Sequence, residues 1–85
     1  MKKKTVSKKK YHYFMDFKRG DYFKITRGLE DQYPNHFYGC GLGVSGIDVH
    51  WYCTSDQFKV IKAFTKRNYT KFKVTRYTEE ELSAD

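Results

Sequence analysis

Residues Ile47 to Cys53 alternate without a break: Ile47, Val49, Trp51 and Cys53 fall on one side, and Asp48, His50 and Tyr52 on the other. A period of two over seven residues is the signature of a strand with one buried face. Trp51, the largest apolar side chain in the set, is its expected core anchor. The chain must therefore cover at least one sheet face. Its apolar content points the same way, because it is carried by Phe, Tyr, Val and Ile, with Leu only at Leu29, Leu42 and Leu82 and Ala only at Ala63 and Ala84. Aromatic and β-branched side chains suit a pleated, half-buried surface.

Around this strand the chain divides into short segments separated by turn residues. Tyr11 to Phe17 reads as a first strand with imperfect alternation, followed by a turn at Lys18-Arg19-Gly20-Asp21. Tyr22 to Arg27 reads as a second strand, with Phe23 and Ile25 inward and Tyr22, Lys24 and Thr26 outward. Gly28 to Gly46 reads as a long loop in which Leu42 and Val44 could form a short strand. After a turn at Thr54-Ser55-Asp56, the residues Phe58, Val60 and Phe64 favour a strand over a helix. A last strand places Phe72 and Val74 inward and Lys71, Lys73 and Thr75 outward. No 3.6-residue periodicity is sustained. The expected fold is mainly all-β: a small five-stranded barrel over residues 11–78, preceded by a disordered basic arm (1–10) and followed by an acidic tail (79–85).

The segment FKRGDYFKITRG, from Phe17 to Gly28, resembles the opening of SH3-like barrels of the KOW type, with Phe17, Gly20, Asp21, Phe23, Ile25 and Gly28 in the matching places. The later Val-x-Trp strand and the segment SDQFKVIKAF look like the paired central strands of such barrels. The resemblance implies a five-stranded barrel that binds RNA, DNA or a transcription or translation partner. The chain departs from that pattern at Leu29 to Val44, which is longer and more aromatic than a KOW loop.

Charge and aromatic content point to a class of partner. There are 17 Lys+Arg against 10 Asp+Glu, a net +7, and 19% of the residues are aromatic. Phosphates attract the cations, and exposed bases stack on the rings. Lys2, Lys3, Lys4, Lys8, Lys9 and Lys10 carry +6 ahead of the foldable part, which itself holds 11 basic and 6 acidic residues. Tyr22, Lys24 and Arg27 on one expected strand, with Lys59, Lys71, Lys73 and Tyr77 on others, would interleave cations and phenols on one face. The plainer alternatives are a solvated barrel exterior and a solubility tail. Tyr33, Phe37 and Tyr38 lie in the long loop, either capping the barrel or forming a contact surface.

The expected function is thus non-enzymatic binding of DNA or RNA, mostly through the backbone, with lysines on phosphates and tyrosines on bases. The rival is a small intracellular regulator, of the kind viruses encode, that binds an acidic surface of a larger host enzyme. Other chemistry has little support. Gly41 to Gly46 matches G-x-G-x-x-G, but no helix is expected after it. His36, Cys40, His50 and Cys53 are zinc-type residues without ligand spacing, so no metal and no cofactor is expected. His12, His36 and His50 form no catalytic set in the sequence and read as exposed. About 68 residues bury too little surface for a deep cleft. No apolar run approaches the roughly 20 residues that span a bilayer. The lysine-rich start is not followed by an apolar segment, so the expected location is cytoplasmic, with both cysteines reduced.

Overall fold

Asp21 starts a helix, not a strand. Its carboxylate accepts from the backbone N–H of Lys24 at 3.0 Å, and the segment from Tyr22 to Gln32 coils behind it as α1. In the computed structural model, which describes residues 9–43 and 46–83, the order is β1 (Lys10–Phe17), α1 (Tyr22–Gln32), β2 (Phe37–Gly43), β3 (Gly46–Thr54), α2 (Ser55–Asn68), β4 (Phe72–Tyr77) and α3 (Glu79–Ser83). The four strands form one open antiparallel sheet in the order β2-β3-β1-β4. This is a split βαβ arrangement, with α1 and α2 on one face.

The expected five-stranded, all-β barrel is therefore corrected to a two-layer α+β domain. Two segments read as strands are helical. In α1 the buried residues are Ile25, Thr26 and Leu29, whereas Phe23, expected inward, is 63% exposed. In α2 they are Phe58, Ile61 and Thr65, whereas Val60 points to solvent. A capping box nucleates α2: Gln57 N–H donates to Thr54 Oγ1 at 3.2 Å, and Thr54 N–H donates to Gln57 Oε1 at 3.0 Å. Lys66 and Arg67 in its last turn complement the negative end of the helix dipole. A Cβ at Gly28, within α1, would collide with the Tyr69 hydroxyl unless that side chain shifted.

The core lies between the helices and one sheet face. Tyr13, Met15 and Phe17 from β1 and Ile47, Val49, Trp51 and Cys53 from β3 meet Ile25, Leu29, Phe58 and Ile61 from the helices. Tyr13 stacks on Phe58 with ring centroids 3.9 Å apart. The fully buried Trp51 directs its indole N–H to Met15 Sδ at 3.3 Å. The long loop expected over residues 28–46 divides into the end of α1, a short connection and the edge strand β2. Tyr33 and Phe37 then pack edge-on against Trp51 and belong to the core periphery. The glycine-rich run spans the end of β2 and the start of β3, where Gly46 takes φ +136° against the Phe17 carbonyl. It is a hairpin between two strands and lacks the strand-to-helix setting of a dinucleotide site; Val44 and Ser45 lie outside the described residues.

Candidate functional site

With both long helices on one side, the second face of the sheet is left to be covered by side chains and α3. Strand register arranges its residues in three rows running across β4, β1, β3 and β2. The first holds Tyr77, His12 and Tyr52; the second Thr75, Phe14, His50 and Gly39; the third Lys73, Asp16, Asp48 and Gly41. The face thus grades from aromatic to charged along the strands. Tyr38, displaced by the irregularity between Phe37 and Gly39, leans over it with its ring centroid 4.3 Å from that of His50. Side chains added at Gly39 and Gly41 would meet nothing within 4 Å, so β2 leaves this part of the face bare.

The rings on this face are packed together. Phe14 stacks on His50 at 4.2 Å and meets Tyr77 edge-on at 5.7 Å. His12 lies 4.6 Å from Tyr52 between centroids. It is only 3% exposed and is bonded at both ring nitrogens, Nδ1 to His50 Nε2 at 2.8 Å and Nε2 to Glu79 Oε1 at 2.9 Å. The second carboxylate oxygen of Glu79 accepts from the Tyr52 hydroxyl at 3.2 Å, so one α3 residue holds two strands. Burial, aided by His12, pushes His50 down to about 4 and leaves it neutral at neutral pH. The hydrogen bond with His12 draws Glu79 below the usual carboxylate range. In the third row the side-chain hydrogen bond with Asp48, then burial, then the Asp48 charge raise Asp16 to about 6.

The expected site residues are split between the two layers. Tyr22, Lys24 and Arg27 lie on α1 and Lys59 on α2, on the helical side of the molecule. Tyr22 shares a hydrogen bond of 3.3 Å with Cys40, tying α1 to β2, and the Arg27 guanidinium lies 5.8 Å from the Phe23 ring. The single basic-aromatic face expected from the sequence is not assembled from these four. Lys10, Lys73, Tyr77 and Tyr38 do reach the open sheet face, where Lys10 Nζ is 5.5 Å from the Tyr52 ring centroid. Lys71 precedes β4 at its edge, and Lys9 Nζ lies 5.5 Å from the Tyr11 ring. Lys2, Lys3, Lys4 and Lys8 lie outside the described residues. Tyr33, Phe37 and Tyr38 do not form one surface, because the first two pack toward Trp51.

His12, Phe14, His50 and Tyr52 were not among the expected site residues. Their signal was the polar half of each strand's alternation, which reads as solvent-facing until the pairing of β1 with β3 brings the halves together. The histidines expected to be exposed are instead buried (His12) and half-buried (His50). The zinc-type residues do not converge: Cys53 faces the helices, and burial raises its thiol to about 11, while His50 lies on the opposite face. Among the described residues no group of three or more His, Cys, Asp or Glu is placed to hold a metal ion. Nor is any described helix long and apolar enough to cross a membrane. Comparison of the chain with family models, with curated proteins and with solved structures finds no match.

Proposed function

We propose that the protein is a non-enzymatic, cytoplasmic nucleic-acid-binding module that uses the open sheet face and the adjoining β4 edge. The observation that carries this is a ring cluster and a group of cations on one sheet, separated along the strands by the Asp16–Asp48 row. Phe14, His50, Tyr77 and Tyr38 form a partly exposed aromatic surface; further along the strands Lys73 lies in the row of Asp16 and Asp48, and Lys18, Arg19 and Lys71 line a groove beyond that row. None of those four cations forms an ion pair within 4 Å of a carboxylate among the described residues. Cations and exposed rings on one sheet suit a ligand with alternating phosphates and bases. By analogy of architecture, four-stranded sheets that stack bases on outward aromatics are a known solution to the same problem. An acidic protein surface would be drawn to the same lysines but would make less use of the rings.

Titration of the full chain with labelled RNA and DNA at several salt concentrations tests this. If roughly 4–6 phosphates are neutralised, the log–log slope should be about −3 to −4 on single strands or −3.5 to −5.5 on duplex DNA. Absence of binding at low salt would sink the proposal.

A further inference from the structure

Two concavities share Asp16, one on the open sheet face and one at the sheet edge beside the start of β4. One is an open cleft of about 330 Å³ between Phe14, Tyr77 and Leu82 of α3, with Asp16, Asp48 and Thr75 completing its lining. The other is a groove of about 680 Å³ at the edge beside the start of β4, lined by Lys18, Arg19, Lys71 and Lys73 with Asp16, Thr70 and Phe72. We infer that the nucleic acid is bound as a single strand, with one base entering the Phe14–Tyr77–Leu82 cleft and a neighbouring phosphate lying in the cationic groove; this rests on the nucleic-acid function proposed above.

Three features support a single strand. The faces of a base in a duplex are already stacked, so rings lining a cleft can be used only by an unpaired base. The charges are also ordered. Carboxylates beside the cleft repel phosphate and can accept from the exocyclic amine of a base, as acidic side chains do toward cytosine. Phosphates are left to the neighbouring lysines and arginine. Finally, Thr75 in the cleft and Lys73 in the groove are two positions apart on β4, about 6.6 Å. One nucleotide can bridge that span between its base and its phosphate.

Fluorescence anisotropy of the full chain with a mixed-sequence oligonucleotide of about 12 nucleotides, as single-stranded RNA, single-stranded DNA and duplex, tests the inference. Either single strand should bind at least roughly tenfold tighter than the duplex at equal salt. Tyr77→Ala should weaken single-strand binding by about tenfold and leave the duplex unchanged. Lys71→Ala with Lys73→Ala should weaken both and reduce the single-strand salt slope by about 0.7 for each phosphate no longer neutralised. Circular-dichroism melting checks that each variant folds; if Tyr77→Ala does not, Tyr77→Leu retains apolar bulk without the ring and should show the same loss. Equal affinity for duplex, or a folded Tyr77 variant with unchanged single-strand affinity, would overturn the inference while leaving nucleic-acid binding intact. Failure of every oligonucleotide to bind at low salt would instead overturn the function on which it rests.

Discussion

Glu79 accepts from, or pairs with, His12 at 2.9 Å, joining the last helix to the first strand across 67 positions of chain. His12 in turn meets His50 at 2.8 Å, so α3 is seated on the sheet through a buried ring that is bonded on both sides. His12→Ala should cost roughly 1–3 kcal/mol, since it removes a buried ring together with its hydrogen bonds to His50 and Glu79. Glu79→Ala should destabilise less, and the double variant should fall short of the sum because both remove the same bond. Chemical denaturation of the four proteins measures this; strict additivity would mean that α3 is not held through His12.

His50 makes stability depend on acidity. Its folded value of about 4 lies below its ordinary 6.5, so the folded state binds fewer protons than the unfolded chain between these limits. Its contribution is therefore present above about pH 6.5 and is lost as the pH falls toward 4. In His50→Gln this part of the pH dependence of Tm should disappear.

Asp16 acts in the opposite sense. Its folded value of about 6 lies above its ordinary 3.8, so its contribution is present at low pH and is lost as the pH rises through about 6. Asp48→Asn removes the like charge and offers an amide donor to Asp16. Its Tm at pH 8 should exceed that of the parent, and the difference should shrink toward pH 4. A lower Tm at pH 8 would show that the two carboxylates do not repel one another.

Two substitutions test the layers separately. Trp51→Ala should cost about 3–5 kcal/mol, because a fully buried ring is removed from between sheet and helices. Thr54→Ala removes the α2 cap and should cost about 0.5–2 kcal/mol. Denaturation curves measure both, and a neutral Thr54→Ala would argue against a helix starting there.

On the proposed function, the basic run is expected to act through its charge. Removing residues 1–8 deletes Lys2, Lys3, Lys4 and Lys8 while keeping Lys10, which pairs with Thr54 in the sheet. Affinity for single-stranded oligonucleotides should fall, with the salt slope reduced by about 0.7 for each phosphate that those lysines neutralise in the full chain. Sequence preference should persist, since phosphate contacts do not read bases. An unchanged slope would assign the phosphate contacts to the β4 edge.

By itself the sequence determined the strands whose pattern is local. Ile47, Val49, Trp51 and Cys53 share the buried face their alternation required, and Phe72 and Val74 turn inward on β4 while Lys73 and Thr75 turn outward. It did not separate strand from helix over Tyr22–Arg27 or Phe58–Phe64. In so short a window, positions two apart and positions three or four apart select overlapping apolar residues, and the aromatic and β-branched composition tilted the choice toward strand. Local caps at Asp21 and Thr54 start both helices, and tertiary packing on the sheet fixes their faces, burying Ile25, Leu29, Phe58 and Ile61 while leaving Phe23 and Val60 in solvent. The open face was decided at the same level. His12, Phe14 and Asp16 meet Tyr52, His50 and Asp48 only through the pairing of strands some 30 to 40 residues apart, a register that no local periodicity encodes.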